Sequence, residues 1–191
     1  MIAPTAETAP PRRVLLIKPS SLGDVVTAVL VLRGLRRTFP AAPLAWLLDE
    51  RFAGVVAHDG DLDEPILYRR AWLTRPHRLA PLLARLRRAR FDWAVDLQGL
   101  IRSALFARAC GAGLRAGPDR PRESLARLAY NRPVRTATEH VVDQNIELAR
   151  ALGVEARAED FRLEVSERGG AFGDRLLRER GLRRGGFVAA V

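Results

Sequence analysis

Short apolar runs alternate with amphipathic segments along most of this chain. Residues 13–17 form a β-rich run that ends in Pro, Ser and Gly, and residues 25–37 then switch to helical spacing. This order is typical of the first strand-turn-helix crossover of an α/β domain. The predicted strands are 13–17, 44–48, 65–68, 93–97, 113–117 and 161–165. The predicted helices are 25–37, 52–57, 77–90, 100–110, 140–152 and 167–180.

The residues that follow the first strand carry candidate chemistry. Free N–H groups and the dipole at the start of a helix favour a bound anion, and Lys18 and Asp24 add a cation and a potential base. Lys18 is the one lysine among 32 basic residues, which suggests a site that requires a compact ammonium group. Two interpretations stay open. Lys18 is part of a site or an ordinary surface lysine, and Asp24 is a base or only stabilises the helix, by about 0.3–1 kcal/mol.

A second predicted strand, 93–97, ends in a similar polar turn that contains Asp96, Gln98 and Gly99. The helix predicted at about 100–110 follows directly. Ligands of α/β domains bind where strands end and helices begin, so this turn is the second candidate site region.

Charge indicates an anionic partner. The formal net charge of the 191 residues is +10 and the sequence pI is about 11.3. Nucleic acid, an acidic membrane surface and a phosphorylated substrate all fit this charge, and so does a set of solvated arginine-rich helix faces. Aromatic residues make up 6% and no helix-turn-helix or RNP-like stacking pattern is present, so no nucleic acid partner is expected.

The cysteine content and the apolar runs indicate where the protein is expected to act in the cell. Cys110 is the single cysteine, lies in an apolar helix and is expected to be buried, which favours the cytoplasm. The longest apolar run, 25–32, is far shorter than the roughly 18 residues of a membrane span. Residues 1–11 lack the features of a secretory signal and are expected to be a disordered leader.

Several motifs are excluded. Neither the dinucleotide fingerprint G-x-G-x-x-G nor the P-loop is present. The acidic run 59–64 has Glu64 where a calcium loop needs Gly and Arg70 where it needs Glu, so a polar turn is expected there. His58, His77 and His140 are too scattered for a metal site to be inferred from spacing. We therefore expect no metal and no cofactor.

Two stretches resemble signatures of the bacterial ADP-heptose:lipopolysaccharide heptosyltransferases. Residues 14–26, VLLIKPSSLGDVV, resemble the opening strand and the Lys-x-Ser-Ser-x-Gly-Asp-Val signature. Residues 96–104, DLQGLIRSA, resemble Asp-x-Gln-Gly-x-x-Lys-Ser, with Arg102 in place of the usual lysine. Residues 122–123, 128–131 and His140 resemble downstream segments of the type that adds the first heptose to Kdo-lipid A. Thr27 departs from the family, in which many members have histidine.

The resemblance implies a GT-B fold, with a Rossmann-like acceptor-binding half followed by a nucleotide-sugar-binding half. This chain would be the N-terminal half, with a parallel sheet flanked by helices in residues 12–181. Residues 182–191 would be a linker and the first strand, 187–191, of the second half. A terminal strand that completes the first sheet remains the alternative.

The resemblance also implies an inverting, metal-independent transfer of heptose from ADP-heptose to Kdo-lipid A. Asp24 would be the general base, and the second half would bind most of the donor, so this half alone is expected to be inactive. Localisation would be cytoplasmic, with peripheral contact to the inner membrane. The alternative is a noncatalytic basic module that binds phosphorylated ligands or nucleic acid.

An arginine clamp is the expected means of binding the anionic acceptor. Arg69 and Arg70 follow the strand at 65–68, and Arg120 and Arg122 lie in a loop. Guanidinium groups pair with carboxylates and phosphates, although solvated arginines are the commoner fate. The substrate-binding candidates are Lys18, Ser20, Ser21, Gly23, Arg69, Arg70, Gln98, Arg102, Ser103, Arg122 and His140.

Overall fold

The computed structural model describes residues 10–183, 185 and 186. Within them, a sheet of parallel strands runs through the middle of the molecule, with helices on both faces. The strands are Val14–Ile17 (β1), Leu44–Asp49 (β2), Glu64–Tyr68 (β3), Trp93–Asp96 (β4), Leu114–Pro118 (β5) and Arg132–Val134 (β6). The α-helices are Leu22–Thr38 (α1), Pro76–Arg88 (α2), Ile101–Ala109 (α3), Val141–Arg150 (α4) and Glu167–Glu179 (α5). Short 3₁₀ helices are Glu50–Val55, Arg70–Thr74, Ser124–Ala129 and Ala158–Asp160. The predicted α/β class is confirmed.

The strands are buried on both faces, which is why their sequences are almost continuously apolar. Val14 and Leu16 of β1 pack with α1 and α4 on one face, whereas Leu15 and Ile17 pack with α2 and α3 on the other. Each face thus has its own apolar core. Burial of Cys110, expected from its apolar helix, is also confirmed.

Strand order places the region where a ligand can bind. The order across the sheet is β3-β2-β1-β4-β5-β6, and every neighbouring pair is parallel. The chain moves outward from β1 through β2 and β3, then returns to the other side of β1 with β4. The crevice at the carboxyl ends of β1 and β4 is therefore the topological switch point, where open α/β sheets bind their ligands.

The strand predicted at 161–165 is wrong. This segment has no strand partner and leaves Phe161, Leu163 and Val165 exposed. The chain passes outside α1 instead, where the Arg162 carbonyl oxygen accepts a hydrogen bond from Arg33 Nη2 at 3.1 Å. In the described residues the sheet ends at β3 and β6, and residues 161–165 pair with neither of these edge strands.

The edge strand β6 was missed by sequence reasoning. It is three residues long and has Pro133 in the middle, which cannot donate a ladder hydrogen bond and is tolerated only at an edge. The helix predicted at 52–57 is instead the 3₁₀ helix at Glu50–Val55. Residues 1–9 of the predicted leader, and the strand predicted at 187–191, lie outside the described residues. In the described part of the chain, no helix is both long and apolar enough to span a bilayer.

Candidate functional site

Lys18 is the centre of the candidate site. It follows β1 directly and is fully buried, with its side chain 1% exposed. Its Nζ donates a hydrogen bond to the Leu97 carbonyl oxygen at 2.7 Å and lies 3.5 Å from Asp24 Oδ1. Burial lowers the pKa of Lys18, and the nearby Asp24 opposes that shift. A lone lysine on the surface is therefore excluded.

Asp24 occupies the third position of α1. Its Oδ2 accepts hydrogen bonds from Ser21 N at 3.2 Å and Ser21 Oγ at 3.3 Å, which caps the helix. Its Oδ1 lies 3.5 Å from Lys18 Nζ and 3.4 Å from Arg122 Nη2. Burial acts to raise the pKa of Asp24, but Lys18, the Ser21 N–H and Arg122 together outweigh it and lower the pKa.

The two oxygens of Asp24 therefore have different surroundings. Oδ2 has a structural role at the helix start, whereas Oδ1 is held only by two cations at long distances. The side chain is 12% exposed, and a Cβ added to the neighbouring Gly23 would meet open space. The Asp24 carboxylate is therefore partly accessible beside an open backbone position.

Asp96 supports the turn that holds Lys18, a role that sequence reasoning missed. It is completely buried, and its Oδ1 accepts hydrogen bonds from Gln98 N at 2.8 Å and Gly99 N at 3.4 Å. Its Oδ2 accepts one from Tyr130 Oη at 2.7 Å. Burial raises the pKa of Asp96, and the Tyr130 hydroxyl and the two backbone donors oppose that shift. These bonds fix the turn whose Leu97 carbonyl binds Lys18.

Tyr130 reaches Asp96 because Gly117 leaves room for its ring. A Cβ on Gly117 would lie 2.5 Å from the Tyr130 Cζ atom, far inside any real contact. The glycine in β5 is thus required by the close approach of the aromatic ring. Nothing local in the sequence marks the pair, because Tyr130 and Asp96 are brought together by the order of β4 and β5.

Two other predicted residues, Arg102 and Ser103, have structural roles at the start of α3. Arg102 Nη2 donates a hydrogen bond to Ser20 Oγ at 2.6 Å, so α3 is tied to the loop before α1. Ser103 is fully buried, and its hydroxyl both accepts from Leu100 N at 3.1 Å and donates to Leu100 O at 2.8 Å. Ser103 therefore holds the first turn of α3.

The four arginines of the predicted clamp lie in two places. Arg120 and Arg122 line a cavity of about 40 Å³ together with Lys18 and Gln98. Arg69 is ion-paired with Glu50 at 2.7 Å, and Arg70 begins the 3₁₀ helix after β3. Arg69 and Arg70 follow β3 whereas Arg120 and Arg122 follow β5, so β2, β1 and β4 lie between the two pairs in the sheet.

His140 precedes α4 and is exposed, with its Nδ1 3.8 Å from Asp143 Oδ2. Ser21 is also exposed at the mouth of the site. Among the residues that the structure describes, no group of three His, Cys, Asp or Glu side chains is placed to hold a metal ion.

Comparison with known proteins gives a consistent result. The model of "Glycosyltransferase family 9 (heptosyltransferase)" matches residues 79–178. Lipopolysaccharide heptosyltransferase 1 of Salmonella typhimurium is 32% identical over 154 residues, which are 74% of this chain and 48% of that protein. The protein of the same name from Pseudomonas aeruginosa is 35% identical over 151 residues, or 73% of this chain and 42% of its own length. The chain thus spans about half the length of these relatives.

Solved structures match the same fold. Escherichia coli heptosyltransferase WaaC with ADP-2-deoxy-2-fluoro heptose has a TM-score of 0.68 and 27% identity, covering 76% of this chain and 50% of that one. A protein from Veillonella parvula has a TM-score of 0.74 over 90% of this chain and 50% of its own, at 20% identity, which supports the fold alone.

Proposed function

Because this chain belongs to glycosyltransferase family 9, the heptosyltransferases, we propose that it forms the acceptor-binding half of an enzyme of lipopolysaccharide core synthesis. The reaction is transfer of L-glycero-D-manno-heptose from ADP-heptose to Kdo-lipid A. The observation that carries the proposal is the buried Lys18 beside the partly open Asp24, at the switch point of the sheet.

Asp24 Oδ1 is the general base of the proposed reaction. It takes the proton of an acceptor hydroxyl, whose oxygen attacks the anomeric carbon of the heptose from the face opposite ADP. The new C–O bond forms as the bond to the ADP phosphate oxygen breaks, so the anomeric configuration inverts and ADP leaves with the electron pair. No step requires a metal or another cofactor from this half of the molecule.

The lowered pKa of Asp24 keeps the carboxylate ionised but also makes it a weak base. Acceptor binding offsets this weakness in two ways. Covering the side chain removes its remaining water, and an anionic group of the acceptor draws Arg122 away from Oδ1. Both changes raise the pKa of the base when the hydroxyl is in place.

The charge of the molecule fits the proposed acceptor. Arg122 beside Asp24, and Arg120 on the same cavity, are available to carboxylate or phosphate groups close to the reacting hydroxyl. Arg70, and Arg69 in exchange for its partner Glu50, are available to groups farther along the edge. Kdo-lipid A carries both kinds of group. We place the enzyme at the cytoplasmic face of the inner membrane, in peripheral contact through its basic surface. The second half of the enzyme binds most of ADP-heptose.

The test joins this chain to the C-terminal half of Escherichia coli lipopolysaccharide heptosyltransferase 1, a relative 32% identical over 152 residues. The chimera is expected to transfer heptose to Kdo-lipid A, and Asp24→Asn is expected to lower kcat by about 10²–10⁴-fold. Asp92→Asn is the matched control, because it removes the same charge at the amino edge of the sheet, where Asp92 binds Arg12 N and Arg13 N. Near-normal turnover of Asp24→Asn would refute the assignment.

The 191-residue chain alone is expected to bind the acceptor without transferring heptose, because donor and acceptor must be held together for reaction. Binding of any polyanion with steep salt dependence and no preference for Kdo-lipid A would indicate the noncatalytic module instead.

A further inference from the structure

Two buried amides that line the same cavity each have one polar atom without a hydrogen-bond partner among the described residues. They are Gln98 in the turn after β4 and Asn145 on α4, each 3% exposed. Gln98 Oε1 and Asn145 Nδ2 are the unpartnered atoms. Both residues line the cavity of about 40 Å³ that also contains Lys18 and Arg122. Leaving a buried polar group without a partner costs about 1–3 kcal/mol, so these two atoms favour binding of a polar group between them.

The donor and acceptor character of the two atoms indicates which chemical group can bind between them. Gln98 Oε1 only accepts a hydrogen bond, and Asn145 Nδ2 only donates one. A carboxylate or phosphate oxygen cannot satisfy the glutamine, and an ammonium group cannot satisfy the asparagine. A hydroxyl group both donates and accepts, and its hydrogen rotates to suit its partners.

The volume of the cavity limits the size of the group that can bind there. About 40 Å³ has room for a water-sized group and a little more, but not for a sugar ring. The occupant is therefore one hydroxyl-bearing arm of a larger molecule, or a water in its absence. Because Lys18 and Arg122 line the cavity and also contact Asp24, the arm and the reacting hydroxyl are close enough to belong to one sugar.

We propose that Gln98 and Asn145 form a subsite for a second hydroxyl of the acceptor sugar, which determines the hydroxyl that faces Asp24. This inference rests on the proposed function and adds regiospecificity to it. Both amides sit on rigid elements. Gln98 belongs to the turn that Asp96 holds through two backbone N–H groups. Asn145 lies within α4, whose Ile146 and Leu148 pack into the apolar core, and it also lines the cavity. Such fixed partners discriminate between hydroxyls without reorganising.

The experiment measures acceptor binding by the 191-residue chain with calorimetry. The probes are the deacylated Kdo-lipid A headgroup and analogues that each lack one Kdo hydroxyl. The wild-type chain is expected to bind one of the analogues about 5–10-fold more weakly than it binds the complete headgroup. Asn145→Ala is expected to bind that analogue and the complete headgroup with similar affinity, because the partner of the missing hydroxyl is already gone. Gln98→Met must show the same loss of discrimination for the same analogue, which guards against misfolding of either variant.

Gln144→Ala is the matched control. It removes a neighbouring amide of α4 that lines the same cavity but already donates to the Thr138 carbonyl oxygen at 3.0 Å. Discrimination among the analogues is expected to stay as in the wild type. If each analogue lost the same affinity in the variants as in the wild type, the subsite would be refuted, and the cavity would be assigned to a bound water instead. A wild-type chain that does not bind the headgroup would overturn the proposed function as well, so the two failures are distinguishable.

Discussion

Helix α1 carries two buried ion pairs of opposite character. Near its start, Lys18 meets Asp24 at 3.5 Å with one further hydrogen bond. Near its end, Arg33 binds Asp59 through both terminal nitrogens, binds Asp61 at 2.6 Å and donates to the Arg162 carbonyl oxygen. The side chains of Arg33 and Asp59 are 7% and 1% exposed. Both terminal nitrogens of Arg33 and the Asp59 carboxylate are fully engaged, and only Arg33 Nε lacks a partner among the described residues. In the first pair, Asp24 Oδ1 is held only by long contacts to Lys18 and Arg122.

The engagement of the carboxylates distinguishes the structural ion pair from the candidate site. The Arg33 cluster ties α1 to the turn before β3 and to the segment around residue 162, and leaves its carboxylates little capacity for a ligand. A cavity of about 370 Å³ lies beside it, but Arg33, Arg36 and Arg37 on its wall are each paired with an aspartate. Of the described residues that line this larger cavity, Arg33 has one unpartnered buried N–H, at Nε. The smaller cavity at Lys18 is lined by an unpartnered acceptor, Gln98 Oε1, and an unpartnered donor, Asn145 Nδ2, and that pair favours it as the binding site despite its size.

The largest expected effect is at the pair of Arg33 and Asp59. Arg33→Met leaves Asp59 buried without its counter-ion and is expected to lower the free energy of unfolding by about 3–5 kcal/mol. Urea unfolding of the chain measures this change. Arg157→Met is the control, since Arg157 and Glu155 form an exposed pair worth about 0–1 kcal/mol. A loss below about 1 kcal/mol for Arg33→Met would contradict the structural role.

A second test concerns Asp96, the carboxylate of the site region that is hydrogen-bonded through both oxygens. Tyr130→Phe removes one hydrogen bond to a fully buried carboxylate and is expected to cost about 2 kcal/mol. Tyr68→Phe is the matched control, because Tyr68 is equally buried but its hydroxyl bonds no carboxylate among the described residues. Equal unfolding free energies for the two variants would show that the Tyr130 bond adds no stability.

Lys18→Met is expected to change stability little but to weaken acceptor binding. The variant removes the cost of burying the ammonium group and keeps Arg122 beside Asp24, so the free energy of unfolding should change by less than about 1 kcal/mol. Acceptor binding, measured by calorimetry, should nevertheless weaken. A loss as large as that of Arg33→Met would mean that both pairs are structural and that the contrast between them is wrong.

The sequence alone predicts the first ion pair, Lys18 and Asp24, because its two members are close together in the chain. Lys18 and Asp24 are six positions apart at one strand exit, so the lone lysine and the helix start were enough to mark them. The partners of Arg33 and Tyr130 lie 26 and 34 positions away and depend on strand order. The sequence predicts Arg33 only as part of a helix, and the turn of Asp59 and Asp61 only as polar, because no local pattern shows a pairing across the fold.

The same limit explains the errors in the fold. Most strands and helices were predicted because a strand buried on both faces and an amphipathic helix each leave a continuous local signal. Residues 161–165 have the alternating period of a strand but contact α1 and pair with neither edge strand of the described sheet, whereas Arg132–Val134 pairs with β5 without having that period. Pairing is decided by the neighbours, which the segment itself does not encode.

The smallest expected effect is the contribution of Asp24 to acid sensitivity. Its folded pKa lies below its ordinary value of 3.8, so as the pH falls the unfolded chain takes up the proton first. The stability from this group is complete above about pH 4 and is lost as the pH falls through the folded pKa. Asp24→Asn should therefore lose slightly less stability than the wild type between pH 7 and pH 3 in urea unfolding.

Only a small difference is expected, because Asp49, Asp63, Glu64 and Asp160 also have lowered pKa values and remain in the variant. Asp63→Asn is the informative comparison, since Asp63 is bonded to Arg36 and to Leu44 N and is remote from the switch point. If Asp24→Asn abolishes turnover of the chimera while both variants lose similar stability in acid, the two carboxylates are alike in folding and differ only in chemistry. A much larger acid effect at Asp24 would instead make its ion pair a structural one, like that of Arg33.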